Sequence, residues 1–204
     1  MTAAACLVIF AKAPVAGEVN TRLIPGIGVE AATALQQDLI DIRMQQFGAA
    51  TDIDVQLWCS PDTRHHSFQH CLETHDISLY TQQGADLGER IVHALGKTFA
   101  RYERVALIGT DAPALGADDV GRALDQLDTH DVVTVPAEDG GYVLIAMRAF
   151  YKDVFLSVPW GTSDVLRKTR ANVQAQALKY KELETSWDID RLVDYQRYMK
   201  IFRA

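Results

Sequence analysis

The chain has 204 residues, 48% of them apolar and 23% charged, with a formal net charge of -7. That length suits one domain, residues 1–204, whose core needs no covalent staple. The acidic balance without a basic run argues against nucleic acid as the main partner, the odd and widely spaced Cys6, Cys59 and Cys71 argue against a disulfide framework, and no apolar run approaches the ~18 residues of a membrane span.

Short apolar runs alternate with segments of helical period along the chain. Strands are predicted over 5–11, 53–59, 77–81, 104–110, 131–136, 142–147 and 178–183, several of them apolar throughout, as strands covered on both faces are. Helices are predicted over 28–47, 62–74, 87–101, 117–129, 163–174 and 190–201. In the first, Val29, Ala32, Leu35, Leu39 and Ile42 trace one face. The alternation implies a single-domain, three-layer α/β/α sandwich around a mostly parallel, doubly wound sheet. The break Glu138-Asp139-Gly140-Gly141 joins two adjacent strands and predicts one antiparallel strand.

Ligands of such sheets bind beyond the carboxyl ends of the strands. Two strand ends carry suitable chemistry. After the first strand comes Lys12-Ala-Pro-Val-Ala-Gly17-Glu-Val-Asn20-Thr21-Arg22, in which Gly17 permits close approach of the backbone to a ligand and Lys12 and Arg22 can meet phosphate oxygens. It is neither a Walker A loop nor G-x-G-x-x-G, and a solvated surface loop is the plain alternative. The fourth strand ends in Gly109-Thr110-Asp111. Asp111 there suits Mg²⁺ or Mn²⁺, which binds carboxylates and bridges substrate phosphates; an Asp after a strand also commonly caps the next turn. A third segment, Gly84-Ala-Asp86-Leu-Gly88-Glu89-Arg90, opens a helix whose first-turn amides attract anions, with Arg90 in reach of a phosphate or a base edge. The plain reading there is capping by Asp86 and an Arg–Glu surface pair.

These stretches, with Pro136-Ala-Glu-Asp139-Gly-Gly-Tyr142, Pro159-Trp160-Gly161-Thr162 and Trp187-Asp188-Ile-Asp190, carry a resemblance over nearly the whole chain. The first loop resembles F-A-K-x-P-x-x-G-x-V-K-T-R-L of an uncharacterised family of glycosyltransferase-A-like proteins. That family is related to phospholactate guanylyltransferase and, more distantly, to molybdopterin-cofactor guanylyltransferases and sugar-nucleotide pyrophosphorylases. The resemblance implies a nucleotide-diphospho-sugar transferase-like fold and a metal-dependent, nucleotide-using transferase.

On that resemblance Asp111 holds the metal bridging the nucleotide's phosphates. The last Asp-x-Asp supplies the second ligand, Asp190 first and Asp188 as the substitute, with Asp190 also a good N-cap for the last helix. Asp139 orients an acceptor or a metal-bound water, or simply serves an Asp-Gly turn. Tyr142 and Trp160 wall the acceptor pocket or pack. The nucleotide site takes in Lys12, Gly17, Asn20, Thr21, Arg22, Gly88 and Arg90, and the catalytic set is Arg22, Asp111 and Asp139. Two positions depart from the pattern: Asn20 where the family has Lys, and Arg191 where the related enzymes have Thr.

The reaction expected is nucleotidyl transfer from a nucleoside triphosphate to a small phosphorylated acceptor, with pyrophosphate release. The alternatives are glycosyl transfer from a nucleotide-sugar, or a nucleotide-binding protein that has lost catalysis. Neither nucleic acid nor a membrane is an expected partner; a homo-oligomer is compatible with the chain, and the expected location is cytoplasmic. His65, His66, His70 and His75 with Cys59 and Cys71 form the one ligand-rich cluster, but their spacing matches no zinc signature. No G-x-S-x-G elbow or H-E-x-x-H helix supports a hydrolase.

Overall fold

The computed structural model describes residues 3–49 and 53–203. Seven strands form one sheet: β1 (Ala3–Lys12), β2 (Asp54–Ser60), β3 (Ser78–Thr81), β4 (Tyr102–Gly109), β5 (Val132–Pro136), β6 (Tyr142–Met147) and β7 (Tyr180–Glu182). The helices are α1 (Ile24–Phe47), α2 (His66–Thr74), α3 (Leu87–Thr98), α4 (Ala117–Gln126), α5 (Val165–Ala175) and α6 (Leu192–Phe202). The strand order is β3-β2-β1-β4-β6-β5-β7. All neighbours pair in parallel except β6, which runs antiparallel to both β4 and β5.

Side-chain alternation sorts the core into two layers. Leu7 and Ile9 of β1, with Ala106 and Ile108 of β4, pack on one face against Ile40 and Met44 of α1, Phe68 of α2 and Val120 of α4. Cys6 and Val8, with Val105 and Leu107, pack on the other face against Ile91 and Leu95 of α3 and Val173 of α5. This is the period-two pattern of a sheet covered on both sides. A third cluster forms where Tyr198 of α6 and the Trp187–Ile189 segment lie on Leu35 and Leu39 of α1.

The chain runs outward from β1 to β3 and then returns to place β4 on the other side of β1. The loops leaving β1 and β4 therefore diverge, and a crevice opens between them, as at the topological switch point of other open α/β sheets. The hairpin predicted between β5 and β6 is present, with Gly140 at φ 94°.

Several boundaries differ from expectation. Helix α1 begins at Ile24, but Gly28 (φ 81°, ψ 165°) breaks it, so the regular helix starts where the glycine predicted. The buried face of α1 consists of Ala32, Leu35, Gln36, Leu39, Ile40, Arg43, Met44 and Phe47, whereas Val29 is exposed. Helix α6 is capped at Arg191, not Asp190: the Asp194 carboxylate accepts the Arg191 amide at 2.8 Å. The three cysteines are buried thiols, and among the described residues no helix is long and apolar enough to cross a membrane.

Candidate active site

A cavity of about 610 Å³ lies at the carboxyl edge of β1 and β4. The β1 loop contributes Lys12, Asn20, Thr21 and Arg22, and α3 contributes Leu87, Arg90 and Ile91. The other side is formed by Thr110 and Asp111 after β4, Tyr142 and Val143 of β6, Trp160, and Asp188–Asp190 before α6. The two strand-end loops thus share one hollow, lined by Lys12, Arg22 and Arg90 and by Asp111, Asp188 and Asp190.

Local sequence explains how the carboxylates gather. Ile189 is buried, and its amide donates to the Asp111 carbonyl at 2.9 Å. In an extended stretch residues on either side of a buried one point the opposite way, so Asp188 and Asp190 both turn to the cavity beside Asp111. Gly109 leaves room for Asp111 itself: a Cβ at that position would lie 2.5 Å from Asp111 Oδ1.

Crowding shows in the protonation equilibria. Burial, then the Asp111, Asp139 and Asp190 charges, push the Asp188 carboxyl up to about 7, against the pull of its own backbone amide. Asp111 opens to the cavity but sits deep in protein, and burial with the Asp139 and Asp190 charges holds it above the usual carboxylate range. Its backbone amide and Arg43 act in the opposite direction. Among the described residues, no three His, Cys, Asp or Glu side chains converge closely enough to enclose an ion by themselves. The all-oxygen donor set, in which mutual repulsion disfavours full ionisation, fits a hard divalent cation completed by substrate phosphates and water.

The cations differ in availability. The Arg22 Nη1 donates to both oxygens of Asp190, at 2.8 and 2.7 Å, tying the β1 loop to the segment before α6. Both side chains are well exposed, at 64% for Arg22 and 35% for Asp190. Lys12 is exposed and belongs to no ion pair among the described residues. Arg90 anchors its Nε on the Gly84 carbonyl at 3.1 Å and forms no ion pair among the described residues.

The remaining predicted residues serve the scaffold more than the hollow. Asn20 holds a left-handed conformation (φ 49°) that Asn tolerates well, and its Nδ2 donates to the Ala32 carbonyl of α1 at 3.0 Å. Its side-chain donor is thus committed to the helix. Gly17 lies outside the cavity wall and makes a turn at φ 82°. Gly88 is buried and lies under the Trp160 indole, where a Cβ would come within 2.4 Å of Nε1; a glycine is needed there for packing. Asp86 caps α3 by accepting the Glu89 amide at 2.8 Å, while Glu89 accepts the Ala85 amide, also at 2.8 Å, so Glu89 is a capping partner and not the ion-pair partner of Arg90.

Asp139 also sits outside the wall, accepting the Gly141 amide at 2.8 Å in its turn, and acts on Asp111 and Asp188 through its charge. Tyr142 and Trp160 meet edge to face with centroids 6.3 Å apart. The Tyr142 hydroxyl is buried beside Thr169 and its ionisation is strongly disfavoured, so Tyr142 offers the cavity a ring and no proton. In the histidine cluster His65 Nδ1 accepts the Ser67 amide at the start of α2 and His75 Nδ1 is hydrogen-bonded to Thr74 Oγ1 at 2.8 Å.

Sequence reasoning passed over two residues behind the site. Gln36 donates from Nε2 to the Lys12 carbonyl at 3.1 Å and to Thr110 Oγ1 at 3.5 Å, joining the ends of β1 and β4. Arg43, one heptad on and fully buried, donates to carbonyls of the β4–α4 loop. The available signal was a polar and a charged residue in register with the apolar face of α1.

Comparison with known proteins accords with this architecture. A structure from Desulfovibrio desulfuricans G20, provisionally named a nucleotide-diphospho-sugar transferase, superposes with a TM-score of 0.87 at 31% identity, over 99% of this chain and 90% of that one. The 4-diphosphocytidyl-2C-methyl-D-erythritol synthase of Anaerococcus prevotii DSM 20548 superposes at 0.64 and 11% identity, over 98% and 99%. The CMP:2-keto-3-deoxy-manno-octonic acid synthetase, complexed with CTP, does so at 0.59 and 11%, over 98% of each chain. The last two likenesses concern the fold alone. Curated proteins yield no match. Residues 43–162 match the family described as "Uncharacterized protein conserved in bacteria (DUF2064)". With more than half of the chain matched and the α/β nucleotide-diphospho-sugar transferase fold around its cavity, this protein is a member of that family.

Proposed function

We propose that the protein is a nucleotide-using transferase that moves a nucleotidyl group from a nucleoside triphosphate to a small acceptor. The observation carrying this reading is one cavity lined both by two cations that belong to no ion pair among the described residues, Lys12 and Arg90, and by Asp111, Asp188 and Asp190. A polyphosphate in this cavity would meet Lys12 and Arg90, and a divalent cation held by the carboxylates would offset their repulsion of the phosphates.

Asp111 and Asp188 are the pair that would hold Mg²⁺ or Mn²⁺, because Asp190 is engaged by Arg22; when bound, such an ion neutralises charge on the phosphate oxygens. An acceptor oxygen attacks the α-phosphorus in line. The new phosphorus–oxygen bond forms as the bond to the β-phosphate bridge breaks, the acceptor proton passes to solvent, and pyrophosphate leaves. Lys12 and Arg90 hold the departing phosphates, and Arg22 joins them if it releases Asp190. The aromatic wall of Tyr142 and Trp160 excludes water from the acceptor side. No protein nucleophile is required; the work is positioning and electrostatics.

A second reading, glycosyl transfer from a nucleotide-sugar, is favoured by the provisional name of the 31% identical structure. Incubation with nucleoside triphosphates (CTP and GTP foremost) or with nucleotide-sugars, in Mg²⁺ and with candidate acceptors, separates the two. Pyrophosphate release supports the first and nucleoside diphosphate release the second. A Mg²⁺-dependent rise in melting temperature with a triphosphate, and neither product formed, marks a binding protein without catalysis.

A further inference from the structure

Helix α1 carries a guanidinium where a leucine would be ordinary. Arg43 lies one turn after Leu39 and Ile40 on the buried face and is 0% exposed. Among the described residues no carboxylate bonds to it directly. Its Nε donates to the Gly109 carbonyl at 3.2 Å and its Nη1 to the Leu115 carbonyl at 2.6 Å. Its Nη2 donates to the Ala112 carbonyl, and Nη1 also reaches Gln46 Oε1 at 2.7 Å. The three carbonyls span the loop that carries Asp111, gripped from behind on both flanks of the carboxylate.

A buried charge is costly to keep for stability alone; an apolar residue of similar volume commonly serves as well or better. A planar fork that meets several carbonyls at fixed angles is what arginine offers and lysine does not. Burial lowers the guanidinium to about 10, still charged at neutral pH, and Asp111 is the one charge that acts to raise it. Gly109 is both the carbonyl held by Nε and the residue over which the Asp111 carboxylate folds.

We propose that Arg43 is a positioning residue: from the protein side of the β4–α4 loop it fixes the backbone at 109–115, so that Asp111 faces the cavity, and supplies a fixed positive charge behind the carboxylate cluster. The inference rests on the reading of Asp111 as a ligand of a phosphate-bridging cation. It differs from a capping or packing role because removing the fork should alter ion binding at Asp111 without loosening the distant half of the sheet.

The test compares wild type, Arg43→Met and Arg43→Lys by hydrogen exchange and by Mn²⁺ titration with CTP or GTP, followed by electron paramagnetic resonance. Positioning predicts at least tenfold faster exchange for amides of residues 111–116, unchanged exchange in β2 and β3, and at least tenfold weaker Mn²⁺ binding. Lys is expected to restore little of either, since it keeps the charge and loses the fork. Unchanged loop exchange overturns the inference, and so does faster exchange with wild-type Mn²⁺ affinity. Failure of both variants to fold also overturns it, because the residue is then a stability determinant. If the wild-type protein itself takes up no Mn²⁺ with either nucleotide, the functional reading falls, and the exchange comparison alone decides the role of Arg43.

Discussion

Neutralising Asp188 should stabilise the protein in the absence of divalent cations, by an amount that depends on pH in a defined direction. Its carboxyl is raised from an ordinary 3.8 to about 7, and each unit corresponds to about 1.36 kcal/mol, so the shift bounds the folded-state penalty at roughly 4 kcal/mol. Asp188 is half-buried and faces an open cavity; screening there reduces the expected penalty to roughly 1–2 kcal/mol. Because the folded protein binds the proton more tightly than the unfolded chain, the penalty is fully present above pH ~8. It shrinks as pH falls through about 7 and disappears below the ordinary value near 4. Asp188→Asn, nearly isosteric, should therefore raise the melting temperature by ~2–8 °C at pH 8 for a chain of this size, and by much less at pH 5. Added Mg²⁺ should stabilise wild type at pH 8 and the variant less. Differential scanning calorimetry at both pH values, with chelator and with Mg²⁺, measures all four quantities. No gain at pH 8, or an equal gain at pH 5, would refute the account of crowded carboxylates.

Two further outcomes follow from contacts around the cavity. Gly88→Ala places a methyl group against the Trp160 indole and should destabilise by roughly 1–3 kcal/mol, as overpacking does, with a change in tryptophan fluorescence on urea denaturation. Arg22→Ala removes an exposed pair worth at most about 1 kcal/mol, so melting should hardly move; if Arg22 re-pairs with phosphate, triphosphate affinity measured by calorimetric titration should fall about tenfold.

Most of the fold was legible because buried strands are written as apolar runs: Leu7, Val8 and Ile9 can only be covered on both faces, and the Asp139-Gly140 pair announces the hairpin that reverses β6. The placing of Asp111 at the ligand-binding edge was legible from its position at a strand end, and that of Asp188 and Asp190 beside it from the family resemblance alone. Assignments failed where one residue type satisfies two physical demands. Asp190 looked like a helix cap, but Asp194 takes the orphan amides and frees Asp190 for Arg22. Gly88 looked like a phosphate-facing glycine, and the reason for it lies about 70 residues onward in Trp160 — a tertiary contact that no local pattern encodes. Asn20 stands where the resembling loop has Lys, and its left-handed backbone and bond to Ala32 depend on how α1 docks. Arg43 was hidden for a simpler reason: counting apolar positions along α1 passes over the charged residue in register with them.

The reversal of β6 has a consequence for how such a protein can change. A parallel strand in that slot would begin at the opposite edge of the sheet, whereas β6 begins at the carboxyl edge of β4 and delivers Tyr142 and Val143 to the hollow, with the 138–141 turn outside its wall. The lining is thus drawn from both halves of the sequence, the β1 loop and α3 from the first and residues 107–190 from the second. Insertions or substitutions in the stretch around Trp160 or ahead of α6 can reshape the cavity, while the β1 loop is left untouched.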